Sequence, residues 1–252
     1  MQFEFGSVTI NVTVPDWETL TCEVAHRLEN NIGFSMATLN LDHLVKLRKD
    51  KEFRDAYTRQ DLVTADGNPI VWMSQLARKP VKLIPGSDTI MPLVRIAAAV
   101  GVPVALLGST DETLEIAALK MEKEIDGLVV IRKIAPPMGF DPEGELAKTY
   151  IRDVEASGAK LCVLGLGSPK QELMAAQARL IAPNVGFICT GAGLDFIAGS
   201  QVRAPRWVRR LALEWLWRAL SSPRRLGPRY AKCMAVLPGQ MMRALGQRWS
   251  RA

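Results

Sequence analysis

Three short apolar runs, Val102–Leu107, Lys160–Leu164 and Val185–Cys189, each break into a glycine-bearing turn and then into a helical pattern. Such runs suit strands buried on both faces, and strands that alternate with helices argue for a parallel, doubly wound sheet. Further strands are expected at Phe34–Leu39, Leu62–Ala65 and Leu128–Ile131. The opening segment reads as a short hairpin, since VTINVTV has a period of two. Helices are expected at Trp17–Asn30 with Asp16 as N-cap, Leu41–Asp50, Asp50–Tyr57 and Ile70–Ala77. Others are expected from Ser87 or Asp88 to Val100, from the GSTDE turn to Ile125, over Glu145–Ser157, and from near Pro169 to Ile181. At 252 residues the chain is long enough for one large α/β domain with a sizeable core.

Charge divides the chain unevenly. From Gln201 onward there are twelve basic residues and a single acid, Glu214, so an overall charge of +6 hides a net acidic body. Four of the six tryptophans, Trp207, Trp215, Trp217 and Trp249, lie in the same stretch. Arginine with tryptophan suits an anionic phospholipid surface, where indole rings sit at headgroup depth, and it also suits stacking on nucleic-acid bases. A helical hairpin with its tryptophans on the core explains the rings but not the charge ratio. The organisation expected is therefore a Rossmann-like domain over residues 1–200 and a basic helical appendage over 201–252. The four cysteines are scattered without a CxxC pair, the N-terminus lacks a basic signal-peptide start, and no run of 18 apolar residues occurs. A reduced cytoplasmic protein without a membrane span is the expectation.

Several chemistries are set aside. The two histidines, His26 and His43, fall on expected helices away from any cluster of ligand type. There is no GxSxG elbow, no P-loop and no Asp-x-Asp pair to hold a divalent metal against a diphosphate. The run Gly165-Leu166-Gly167-Ser168-Pro169-Lys170 is no full dinucleotide fingerprint, because Lys170 takes the place of the third glycine. No metal or other cofactor is expected.

Ligands of open parallel sheets bind at the carboxyl ends of the strands. Four loops there carry chemistry: Ala37–Asn40, Thr64–Gly67, Gly165–Glu172 and Gly191–Asp195. In the third, glycines allow close backbone approach and a helix N-terminus offers N–H groups to phosphate. Pro169 suits a first helical turn, Lys170 suits a phosphate, and Gln171 can read a base or sugar through its amide. A plain strand-to-helix turn explains the same residues. Asp66, at a strand end, is either a general base or the start of an Asx-type turn, and spacing alone favours the turn. Asp88 and Asp195 read equally well as helix caps.

In this order the loops resemble the WecG/TagA/CpsF family of bacterial glycosyltransferases. The matching pieces are Thr38–Asn40, DKEFRDAY at 50–57, ADGNPIVW at 65–72, PGSD at 85–88 and VALLG at 104–108. They continue with VLGLGSPKQE at 163–172, GAGLDFIAG at 191–199, RAPRW at 203–207, LEWLWR at 213–218, PRRL at 223–226 and Arg229-Tyr230. The resemblance implies a variant Rossmann-like fold. It implies inverting, metal-independent transfer of a sugar from a UDP-sugar to a polyprenyl-pyrophosphate-linked saccharide, in surface polysaccharide or teichoic acid assembly. It assigns the general base to Asp66, with Thr38 and Asn40 beside it. Substrate-binding candidates are then Gly86, Asp88, Gly108, Gly165, Gly167, Pro169, Lys170, Gln171, Glu172, Gly191, Gly193 and Asp195. The appendage is linked to membrane association, and its arginines, here Arg206, Arg210, Arg218, Arg224 and Arg225, are expected to reach the diphosphate. This implies a peripheral protein on the cytoplasmic face of the bacterial inner membrane, held by anionic lipid, with no nucleic-acid partner.

One departure stands out. Members carry Glu-Arg shortly before the Gly-x-Asp piece, and here that stretch reads Lys82-Leu83-Ile84-Pro85-Gly86-Ser87-Asp88. Leu83 cannot do an arginine's work, and Lys82 or Arg78 would meet the substrate from another angle. The alternative function is a non-catalytic protein that binds nucleotide or anionic lipid and regulates a membrane complex.

Overall fold

The computed structural model describes residues 1–205, 207–208, 213–221 and 223–248, without the side chains of residues 218, 221 and 225. A two-stranded antiparallel hairpin, β1 (Gln2–Phe5) and β2 (Val8–Asn11), precedes a six-stranded sheet. The sheet strands are β3 (Phe34–Leu39), β4 (Leu62–Ala65), β5 (Val104–Gly108), β6 (Val130–Ile134), β7 (Leu161–Gly165) and β8 (Gly186–Cys189). Their spatial order is β4-β3-β8-β7-β5-β6, and every pair is parallel. All six carboxyl ends therefore open on one edge, as the sequence predicts for a doubly wound sheet.

Alternation along the strands explains the two covered faces. Val104, Leu106, Leu161, Val163 and Ile188 enter one core with α1 (Trp17–Glu29), α5 (Gly86–Val100), α6 (Asp111–Glu124) and α9 (Gly193–Ala198). Ala105, Leu107, Cys162, Leu164 and Phe187 enter a second core with α7 (Glu145–Ala156) and α8 (Lys170–Ile181). At the β3–β4 end a third core forms under α2 (Leu41–Leu47), α3 (Lys51–Thr58), α4 (Asn68–Leu76) and the hairpin. Among the described residues the appendage carries α10 (Glu214–Ser221) and α11 (Pro223–Gly246). Helix α11 lies against α2 and α4 and gives Cys233, Leu237, Met241 and Ala244 to that third core. Its far end is pinned where the Gln247 amide donates to the carbonyl of Gln2 at 2.7 Å. Among the described residues no helix is long and apolar enough to cross a membrane.

Caps follow the sequence in most places. The carboxylate of Asp16 accepts from the Thr19 amide, Asp50 caps α3, and Thr110 caps α6. Helix α2 stops at Leu47, short of the expected Asp50, α4 begins at Asn68 rather than Ile70, and three further differences have a visible cause. The strand expected at Leu128–Ile131 is β6, Val130–Ile134. Leu128 turns into the core, and the strand runs on through Arg132 and Lys133, which an edge strand tolerates because Asp153 and Glu115 pair with them. Helix α5 begins at Gly86, so neither Ser87 nor Asp88 caps it; Asp88 sits inside the first turn and pairs with Arg203. Pro169 follows a cis peptide bond and stands at the N-cap of α8, one position before the first helical residue.

Candidate functional site

The strand ends build the floor of the site. Parallel pairing sets Thr38 beside Thr64 and Leu39 beside Ala65, so the next residues, Asn40 and Asp66, emerge together. The Asp66 amide donates to the Leu39 carbonyl at 2.8 Å, which ties the two loops. Asn40 caps α2: its Oδ1 accepts from the His43 amide at 3.0 Å. That bond fixes which way the amide faces, and its Nδ2 stands 3.4 Å from Asp66 Oδ2. Leu83 continues the sheet edge, with its backbone beside Ala65 and the Ile84 amide donating to the Ala65 carbonyl. Gly86 then passes so close that a Cβ would fall 2.9 Å from the Cys189 carbonyl oxygen and 3.1 Å from a methyl of Thr38.

These loops line one side of a cleft of about 1610 Å³, and the appendage lines the other. Thr38, Asn40, Asp66, Gly86, Asp88, Gly167, Gln171 and Gly191 face it from the sheet; Trp215, Arg229 and Tyr230 face it from the appendage. Trp215 and Tyr230 pack at 5.9 Å between ring centroids, and Trp72 of α4 shows its ring on the same wall.

Cations are held there by carboxylates. Asp42 Oδ2 lies 3.0 Å from both Lys46 Nζ and Arg229. Burial opposes its charge, but Arg229 and Lys46 outweigh burial and lower its pKa. Lys46 also donates to the Ser168 carbonyl at 3.1 Å, in the glycine loop after β7. Arg203 pairs with Asp88 and lies over the Phe196 ring at 5.7 Å. Burial works against its charge, and the bond to Asp88 keeps it firmly protonated. Among the described residues no three His, Cys, Asp or Glu side chains are grouped to hold a metal ion.

Residues 6–252 match the sequence profile of the glycosyl transferase WecG/TagA/CpsF family. The chain belongs to that family. It is thus a glycosyltransferase of cell-surface polysaccharide synthesis, a class that works on nucleotide-sugar donors and lipid-linked acceptors.

Within this WecG/TagA/CpsF member, not every residue singled out in the sequence reaches the cleft. Gly108 and Gly165 lie back to back where β5 and β7 end; a Cβ on Gly108 would fall 2.5 Å from the Gly165 backbone. A Cβ on Gly193 would fall 2.5 Å from Ile90 Cδ1 and 3.1 Å from Ser87 Cα. Lys170 turns away and donates to the Phe140 carbonyl at 2.6 Å. Asp195 accepts from Ser109 Oγ at 2.6 Å and from Gln201 at 2.8 Å, outside the lining. Gln171 lines the floor, but its amide is engaged at both ends, accepting from the Gly191 amide and donating to Glu172, each at 2.9 Å. Glu172 lies fully buried below, and burial raises its pKa. Arg206 and Arg210 lie outside the described residues, as do the side chains of Arg218 and Arg225; Arg224 is exposed and away from the lining.

Sequence reading missed the cations Lys46, Arg203 and Arg229 and the buried His43. Arg203 and Arg229 sit inside matching motifs, so the signal was present. His43 had a fainter one: its spacing from Asn40 is that of an N-cap and the amide it holds.

Proposed function

We propose that the protein is an inverting glycosyltransferase that moves a hexose or N-acetylhexosamine from a UDP-sugar to a polyprenyl-pyrophosphate-linked saccharide, with Asp66 as general base. The observation that carries this reading is the position of Asp66, at an open strand end, beside Asn40, in a cleft walled by Lys46, Arg203 and Arg229. A carboxylate so placed can take the proton of an acceptor hydroxyl as its oxygen attacks the anomeric carbon. The bond from that carbon to the donor phosphate breaks on the opposite face, and its electron pair leaves with UDP. One displacement inverts the centre.

The departing diphosphate needs positive charge. Arg203, Arg229 and Lys46, with N–H groups of the Gly167 loop, supply it in this reading without a divalent ion. Residues 1–200 act as the catalytic part, and residues 201–252 as the appendage that meets an anionic inner-membrane surface on its cytoplasmic face. The exposed Trp207, Leu216 and Leu220 and the basic balance of that stretch support this docking.

The test is UDP release from a panel of UDP-sugars offered with a lipid-pyrophosphate-linked monosaccharide, with and without EDTA. Acceptor-dependent release from one donor, unchanged by EDTA, is the expected result. UDP that binds with no release from any pair would favour the regulatory alternative.

A further inference from the structure

Below Asn40 lies a buried polar group that the mechanism above does not use. His43 is 3% exposed, and its Nδ1 stands 2.8 Å from the Thr38 carbonyl oxygen and 2.7 Å from the Tyr57 hydroxyl. The Tyr57 hydroxyl itself donates to the Thr38 carbonyl at 2.8 Å. A bare Nδ1 would face the lone pairs of that carbonyl, so Nδ1 carries the proton. A neutral ring then leaves Nε2 as an acceptor. Its neighbours are Asn40 Nδ2 at 3.4 Å and Glu172 Oε1 at 4.0 Å. At 4.0 Å the Glu172 oxygen is beyond hydrogen-bond reach, so the donor for Nε2 is Asn40.

We infer that His43 is a positioning residue that acts through Asn40 on Asp66. The Asn40 amide has two N–H bonds. One goes to His43 Nε2 and the other to Asp66 Oδ2, while Oδ1 stays on the cap of α2. The ring is thus a fixed stop that aims the amide, and the amide aims the carboxylate. Both bonds are long, at 3.4 Å each. The arrangement needs a neutral ring, since a second ring proton would meet the amide donor head on. The charged or titratable groups around the ring are Asp42 and Lys46 on α2, Tyr57 on α3, Glu172 on α8 and Arg229 on α11. Burial, with Lys46 adding to it, lowers the His43 pKa to about 3.

This inference rests on the reading of Asp66 as acceptor base, and its test separates the two. The tautomer is read without turnover, by long-range proton–nitrogen NMR of the two histidines at pH 7. The expected result is His43 with Nδ1 protonated and Nε2 bare, and a proton found on Nε2 overturns the inference. In activity, His43→Met is expected to lower kcat by about 10- to 100-fold, the range seen when a partner that orients a functional group is removed. KM for the donor and UDP affinity should stay within about twofold, and His43→Gln, which restores an acceptor near Nε2, should recover most of kcat. In an Asn40→Ala background, His43→Met should cost nothing more. Full kcat in His43→Met, independent losses in the double variant, or a parallel loss of UDP affinity would each overturn it. If Asp66→Asn turns over like wild type, the reading of Asp66 falls instead, while the tautomer still decides whether His43 accepts from Asn40.

Discussion

Asn40 Nδ2 stands 3.4 Å from Asp66 Oδ2, across the paired carboxyl ends of β3 and β4. Two loops far apart in sequence thereby present one amide and one carboxylate to the same cleft. Parallel register does this: it sets the last residues of the two strands side by side, and the next residue of each has nowhere to go but the open edge.

At the end of β5, Gly108 combines a φ of +123° with a Cβ position 2.5 Å from the Gly165 backbone. Neither strand end can move without breaking the β5–β7 ladder. Gly108→Ala is therefore expected to lower stability by about 3 kcal/mol or more, measured by urea unfolding. A loss below about 1 kcal/mol would show that the ladder yields there.

His43 and Glu172 are expected to give opposite pH slopes of stability. His43 is held neutral in the fold and takes a proton in the unfolded chain below its ordinary 6.5, so its contribution to stability is present above that pH and lost as pH falls toward 3. Glu172 is pushed the other way: the fold keeps its proton above the ordinary 4.5, so its contribution is lost as pH rises. From pH 4.5 upward the two slopes oppose each other in the wild type, and the histidine's ends near pH 6.5. Glu172→Gln should leave the histidine alone, with stability rising by up to about 1.4 kcal/mol per pH unit; His43→Gln should show stability falling as pH rises. Denaturant midpoints across this window check both signs, and equal slopes in the two variants would refute the assignment.

Arg203 leans into the cleft from just beyond α9, tethered by Asp88. If it binds donor diphosphate, Arg203→Met weakens UDP affinity by about 10-fold, the value of one charge-assisted contact. Calorimetric titration with UDP measures this. Unchanged affinity would leave Arg203 as a partner of Asp88 alone.

The basic appendage is expected to bind vesicles that contain anionic lipid, and to leave them as salt rises from about 0.05 to 0.5 M, because screening removes the attraction. Co-sedimentation at the two salt levels checks it. Equal binding to neutral vesicles would mean that exposed apolar side chains such as Trp207 and Leu220, rather than the arginines, carry the contact.

Much of the fold is legible because strands covered on both faces read as unbroken apolar runs. β5, β7 and β8 show this, and their glycine turns mark where ligands approach. The apolar run at Leu128–Ile131 marks β6 two residues early, because β6 is an edge strand, where Arg132 and Lys133 are as acceptable as valine. In the site, Asp66, Asn40 and Gly191 are visible through their motifs. Lys170 and Asp195 look equally functional in sequence, yet the structure spends them on Phe140 and on Ser109 and Gln201. Whether a polar residue after a strand faces substrate or a neighbouring loop depends on rotations that no spacing encodes. The closeness of His43 to Glu172 is hidden for another reason: only tertiary packing brings α2 and α8 together.

The most direct measurement of the central claim is acceptor-dependent UDP release by wild type and Asp66→Asn side by side, with UDP binding recorded for both. General-base assistance is worth about 100- to 10,000-fold, so the variant should bind UDP normally and lose turnover by at least 100-fold. A folded Asp66→Asn protein with wild-type turnover would contradict the account.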